Sequence, residues 1–222
     1  MIKFLDILKE SDDNIFIPRG SKEEKDKVLI RRINDKIQEY INNGSEGSLD
    51  LPNSTIKLLP RNLTKVGGDL FLNHSQIEKL PDNLTVNGRL DLDSCKNLQS
   101  LPNGLKVKSD LDLRRTNIKS LPSDLEVGGS LFLINSQIEK LPDNLIVNGG
   151  LDLDNCKNLQ ELPNGLKVKN SLDLRYTNIT SLPSDLEVGV NLNLRGTPIV
   201  YRYTEKQIRK MIPRVQGNLI LI

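Results

Sequence analysis

Aromatic side chains are scarce in this chain: 222 residues hold no tryptophan, four phenylalanines and four tyrosines. Compact cores usually draw on such rings, so burial here has to come from aliphatic layers. Histidine occurs once and cysteine twice, too few for a Cys/His metal site. No phosphate-cradling glycine loop and no Ser–His–Asp arrangement can be assembled. Neither sign of charge dominates: 31 Lys and Arg face 29 Asp and Glu, a net charge of +2. That balance supplies no field to draw in nucleic acid or an anionic membrane surface. No apolar run is long enough to span a bilayer. The opening MIKFLDILKE is too short and too acidic for a signal-peptide core. These absences leave no catalytic residue, metal or cofactor to assign, and the expected protein is non-enzymatic.

What the chain has instead is a repeat. Leu59, Leu80, Leu101, Leu121, Leu141, Leu162 and Leu182 open turns spaced 20 or 21 residues apart. The shared pattern is LPxxLxVxGxLxLxxTxIxx, at the short end of leucine-rich repeats. In LPSDLEVGGSLFLINSQIEK, Leu131 and Leu133 alternate inward on a short strand. Val127, Ile138, Leu141 and Leu145 complete the apolar layer. Gly128-Gly129 permits a tight turn before the strand. Pro142 favours an extended, polyproline-like path on the convex side. The expected class is an α/β leucine-rich-repeat solenoid, right-handed, with its parallel sheet on the concave side.

Four segments follow. Residues 1–20 form a strap or tail, with Phe4, Leu5 and Leu8 able to line one or two helical turns. Residues 21–47 form a capping helix: Ser21 and Glu24 have capping-box spacing, Gly44 offers a stop, and Val28, Leu29, Ile33, Ile37, Tyr40 and Ile41 share a face. Such a helix covers the open end of a stack; a partner-binding helix is the alternative. Residues 48–200 hold the repeats, opened by Leu49-Asp50-Leu51. Residues 201–222 close the chain with a short helix from Thr204 through Met211, stopped by Pro213, and a last strand.

A longer period lies over the short one. Residues 80–120 and 141–181 differ at eight of 41 positions and stand 61 residues apart, as a tandem duplication of three turns would leave them. Cys95 and Cys156 are equivalent positions in the small polar slot filled elsewhere by Ser75, Thr116, Ser136, Thr177 and Thr197. Three turns at the strand spacing separate them by about 15 Å, beyond the roughly 7 Å that a disulfide allows. Buried free thiols are expected, which suits a reducing, cytoplasmic setting. His74 is a full turn from Cys95, so a Cys–His hydrolase has no assembled pair.

The LPxxLxVxGxLxL turns resemble the short bacterial leucine-rich repeats of the LPX class, known from type III secretion effectors. The whole pattern, with the ending LRGTPIVYRYTEKQIRKMIPRVQGNLILI, more closely resembles leucine-rich repeat proteins of tailed bacteriophages. The resemblance implies a protein-binding module acting in the host cytoplasm. Some effector relatives carry a ubiquitin-ligase domain after the repeats. This chain stops too soon for one and its cysteines lie inside repeats, so a recognition module lacking that domain is a lesser reading. A structural, self-assembling virion component is the main alternative.

Candidate binding residues come from stacking the turns at about 4.8 Å. One exposed row reads Asp50, Phe71, Asp91, Asp112, Phe132, Asp152, Asp173, Asn193. The next reads Pro52, Asn73, Asp93, Arg114, Ile134, Asp154, Arg175, Arg195, and the third Asn53, His74, Ser94, Arg115, Asn135, Asn155, Tyr176, Gly196. Cross-strand pairs Asp93–Arg114 and Asp154–Arg175 are expected. Asp91 beside Asp112, and Asp152 beside Asp173, either have their charge neutralised by nearby arginines or form a cation or basic-group docking point. Phe71, Phe132, Ile134 and Tyr176 are large apolar groups on an exposed face, serving either as cover for the sheet or as partner contacts. With Arg115 and Arg195 these residues make up the expected partner-binding face of a monomer.

Overall fold

The computed structural model describes residues 2–3 and 21–222. The chain is a parallel β-solenoid with few helices, consistent with the leucine-rich-repeat-like stack that the period predicts. Among the described residues, ten two-residue strands form one continuous parallel sheet. Its order is Ile2–Lys3, Leu49–Asp50, Leu70–Phe71, Leu90–Asp91, Leu111–Asp112, Leu131–Phe132, Leu151–Asp152, Leu172–Asp173, Leu192–Asn193 and Leu219–Ile220. The first leucine of each LxL pair points inward, and Leu70, Leu90, Leu111, Leu131 and Leu172 are all fully buried. Second leucines such as Leu92, Leu113, Leu133 and Leu153 are buried with them, so every turn contributes one aliphatic layer and aromatic rings are unnecessary.

Two elements differ from the expected plan. Ile2–Lys3 pairs in parallel with Leu49–Asp50, so the sheet begins one strand earlier than Leu49. An unpaired first strand would leave backbone donors and acceptors open at the edge, and this segment fills them. The reading of residues 4–20 as a strap or tail, including Phe4, Leu5 and Leu8, lies outside the described residues. Second, the path after each Leu-Pro is not uniformly extended. It turns, then enters a second parallel ladder: Lys65–Val66, Thr85–Val86, Lys106–Val107 and Glu126–Val127 in one run, Ile146–Val147, Lys167–Val168 and Glu187–Val188 in another. The valines of this ladder face the core. Gly128 shows why glycine follows one of them: a Cβ there would stand 2.2 Å from the carbonyl oxygen of Lys108 in the turn before.

Helix α1 (Lys22–Asn42) opens with the expected capping box. The Ser21 amide donates to Glu24 Oε2 at 2.8 Å, and the Glu24 amide donates to Ser21 Oγ at 3.4 Å. Ile33, Ile37 and Tyr40 are buried against the first layers. The Tyr40 hydroxyl donates to carbonyl oxygens of Ser45 and Gly47 and accepts from the Gly67 amide at 3.2 Å, tying the end of the helix to the stack. At the other end, a 3-10 turn at Pro198–Tyr201 and helix α2 (Glu205–Met211), capped by Thr204 and Gln207, bring buried Ile208 under the last layer. Leu219–Ile220 then pairs with Leu192–Asn193.

Candidate functional site

The outer face of the long sheet carries the rows read from the sequence. Asp50, Phe71, Asp91, Asp112, Phe132, Asp152, Asp173 and Asn193 are direct partners in successive strands. The next row is held by its carbonyls: those of Asp93, Arg114, Ile134, Asp154, Arg175 and Arg195 accept from amides of His74, Ser94, Arg115, Asn135, Asn155 and Tyr176.

That third row has a property not foreseen in the sequence. Asn53, His74, Ser94, Arg115, Asn135, Asn155, Tyr176 and Gly196 all have φ between 55° and 71°. Left-handed backbone is ordinary for Asn and Gly but strained for a large side chain. The Asn and Gly members of the column were its signal; His74, Arg115 and Tyr176 obscured it. Tyr176 is 46 % exposed, and its ring occupies the space that a Cβ on Gly196 would need.

In the first duplicated segment the charges close into a network. Asp112 is fully buried. Its carboxylate accepts from Arg114 Nε at 2.8 and 3.0 Å, from Arg114 Nη2 at 2.7 Å and from Arg89 Nη2 at 2.6 Å. Arg89 Nη2 also donates to Asp91 Oδ2 at 3.1 Å, so one guanidinium bridges two carboxylates. Asp93 pairs with Arg115 and accepts from the Ser94 hydroxyl at 3.0 Å. Arg114 stands 3.8 Å from Asp93, so the expected cross-strand pair is the lesser contact. Arg114 prefers Asp112, two residues back on its own strand, because the fork of Nε and Nη2 meets that carboxylate squarely. Its hydrogen bond to Asp112 pushes the Arg114 pKa up. Burial raises the Asp91 pKa, opposed by the Asp93 amide and Arg89, and repulsion from Asp112 adds to the rise.

The second segment keeps the three aspartates but one arginine of the three. Arg175 Nε donates to Asp173 at 2.8 and 3.0 Å, and its Nη2 reaches Asp154 at 3.1 Å. Gly150 and Tyr176 stand where Arg89 and Arg115 stood. Asp152 accepts the Asp154 amide at 3.0 Å. Its pKa is raised, by burial first and then by Asp173 and Asp154. Asp154 is raised as well, again chiefly by burial. Neutralisation by nearby arginines therefore describes the first segment and only part of the second. Arg89 and Gly150 differ between the copies in the sequence, and the fold is what sets Arg89 between Asp91 and Asp112.

Phe71 and Phe132 are half-buried, each flanked across the strands by aspartate, and Ile134 is half-buried beside them. Arg195 is exposed; its amide donates to Asn193 Oδ1 at 3.2 Å. Cys95 and Cys156 are buried free thiols that donate to the carbonyls of Leu72 and Leu133 at 3.0 Å. Burial raises both thiols, Cys156 to about 11, which keeps them protonated and unreactive. Among the described residues, no group of three or more His, Cys, Asp or Glu side chains could hold a metal ion. No described helix is long and apolar enough to cross a membrane. A groove of about 1100 Å³ follows the second ladder where its two runs part, lined in part by Leu125, Leu145, Ile146, Lys167 and Glu187.

Compared with known proteins, the chain matches no family model, and no curated protein matches it.

Proposed function

We propose that this chain is a leucine-rich-repeat module that binds a partner protein, without catalysis, through the outer face of its ten-stranded sheet. One observation carries the reading. Tyr176 presents a large, half-exposed ring from a left-handed backbone position. Holding a non-glycine residue there costs about 1–2 kcal/mol, and strain of this kind collects where a side chain is used. Phe132 and Ile134 add apolar surface two turns away, across the Asp152 turn, with Arg115, Arg175 and Arg195 at its margin. Free buried thiols suit a reducing compartment, in keeping with a cytoplasmic partner. Recovery of a partner from cell lysate by the wild-type chain, and its loss with the double variant Phe132→Ala/Tyr176→Ala, is the expected result. Equal recovery by both chains refutes the reading.

Self-assembly is the second reading, favoured by the half-exposed edge strand Leu219–Ile220. An open parallel edge can accept another strand. Light scattering over a range of concentrations decides it: a constant monomer mass excludes self-association.

A further inference from the structure

Gly150 is the one glycine in its column. The equivalent residues of the other turns are Ser48, Asp69, Arg89, Asp110, Ser130, Ser171, Asn191 and Asn218. Its φ lies outside the left-handed region, where five other glycines sit. A Cβ on Gly150 would meet only Ser171 O at 3.3 Å and Ser130 Oγ at 3.8 Å, whereas Gly128 and Gly149 face backbone atoms under 3 Å. Neither conformation nor close approach demands glycine here. What its presence does is remove a side chain from the space above two carboxylates.

The first duplicated segment shows what fits that space. Phe71, Asp91, Asp112 and Arg114 recur 61 residues later as Phe132, Asp152, Asp173 and Arg175. Each Phe is the direct strand partner of its Asp, and each Asp pair is matched across adjacent strands. In the first segment Arg89 Nη2 lies 3.1 Å from Asp91 and 2.6 Å from Asp112. Under it the Asp112 side chain is 1 % exposed; the Asp173 side chain, without such cover, is 22 % exposed. Asp154 Oδ1 is buried with no hydrogen-bond partner among the described residues, whereas Asp93 Oδ1 takes the Ser94 hydroxyl.

We infer that the slot above Gly150 receives an arginine side chain of the partner protein, its guanidinium bridging Asp152 and Asp173 as Arg89 bridges Asp91 and Asp112. This rests on the partner-binding reading above and adds the chemistry of the partner's anchoring residue. Three aspartates against one arginine leave the cluster two negative charges in excess, which an incoming cation reduces. A planar guanidinium is favoured over an ammonium because it can present two donors at once and lie flat beside Phe132.

The test is an amide-resolved NMR titration of the whole chain with a blocked Gly-Arg-Gly peptide, with lysine and citrulline versions as further arms. Saturable shifts at Gly150, Asp152 and Asp173 are expected with the arginine peptide, and none with citrulline, which keeps the shape without the charge. The lysine peptide should bind more weakly than the arginine peptide. Gly150→Arg should weaken the arginine peptide at least about tenfold, a difference of about 1.4 kcal/mol, by filling the slot from within. Arg89→Gly should open a second saturable set at Asp91 and Asp112. No saturable shift, equal shifts with citrulline, or shifts that survive Gly150→Arg overturn the proposal. If it fails while partner recovery still depends on Phe132 and Tyr176, the binding face stands and the slot alone falls. If the peptide binds but Gly150→Arg leaves partner recovery unchanged, the slot is a guanidinium site and its assignment to the partner is overturned.

Discussion

Asp112 and Asp173 occupy equivalent places in the two duplicated segments, and replacing each by asparagine should give unequal losses of stability. Asparagine keeps the Oδ1 that accepts the amide of Arg114 or Arg175, at 3.2 and 3.0 Å respectively, so the backbone turn survives in both. What changes is the charge. Asp112 takes four N–H···O contacts from two guanidiniums and is fully buried. A charge-assisted bond contributes about 1.5–3 kcal/mol. Arg89 and Arg114 are about a third exposed, so water compensates part of what they lose, and relief of the repulsion with Asp91 returns a little more. A net cost of about 2 kcal/mol follows for Asp112→Asn. Among the described residues Asp173 has one guanidinium partner, Arg175, which it shares with Asp154, and it stands beside Asp152, whose charge it repels. Removing its charge frees Arg175 to serve Asp154 and relieves Asp152, so gain and loss nearly cancel, to within about 0.5 kcal/mol. Urea unfolding followed by circular dichroism measures both. With a urea slope near 3 kcal/mol/M for a chain of this size, Asp112→Asn should lower the midpoint by roughly 0.7 M and Asp173→Asn hardly at all. Equal shifts, or a larger one for Asp173→Asn, would refute the claim that the second cluster lacks its compensating cations.

Burial of Asp152, with repulsion from Asp173 and Asp154 added to it, sets a pH dependence. Asp152 has its folded-state pKa raised, so the folded chain binds its proton more tightly than the unfolded chain, and this residue's contribution to stability falls as pH rises through the interval between the unfolded and the raised value. Asp152→Asn, which retains the acceptor for the Asp154 amide, should therefore stabilise the chain at neutral pH and lose that advantage on acidification; unfolding midpoints of both proteins across the acidic range check this. Gly128→Ala should destabilise by about 1–3 kcal/mol, because its Cβ would press on Lys108 O at 2.2 Å; a neutral midpoint would contradict the close approach. Cys95 and Cys156 should resist a thiol reagent in the native chain and react on unfolding, since both are buried and protonated; rapid native labelling would show that the layer opens.

The rows of the sheet were legible because a fixed period forces equivalent residues into register: Phe71, Asp91, Asp112 and Phe132 could be lined up by counting. The capping box of Ser21 and Glu24 and the helix at Thr204 were legible because capping chemistry is local. Other features depend on what one turn does to the next. The second ladder uses two-residue strands, too short for alternation to register. The left-handed column was masked by Arg115 and Tyr176, residues that rarely adopt such a backbone. A further column uses side-chain oxygens to receive the next turn's amide: Ser48 from Asp69 at 2.9 Å, Asp69 from Arg89 at 2.8 Å, Asp110 from Ser130 at 2.7 Å, Ser130 from Gly150 at 3.0 Å. No pattern of hydrophobicity marks it. Arg89 and Gly150 donate their amides to it but offer no side-chain acceptor to the turn after, so the side chains at these two places are released from that role and free to differ.

That release bears on how the two segments came to differ. Eight substitutions separate 41 aligned residues, and two of them remove Arg89 and Arg115, the two cations that flank one cluster of three aspartates. Had the aspartates lost their use once Arg89 and Arg115 had no counterparts, little would have kept Asp152, Asp154 and Asp173 together around the single Arg175, because carboxylates are costly to bury without full counter-charge. All three remain, and in place of the arginines stand a glycine that no backbone constraint requires and a tyrosine on a strained backbone. Stability alone favours the opposite choice at both positions: an arginine at the first, as in the first segment, and asparagine at the second, as Asn135 and Asn155 show for that column. A carboxylate pair without Arg89's cover, beside Phe132, is what the chain gains in exchange, and a cationic side chain from outside is the group whose arrival offsets that loss of stability.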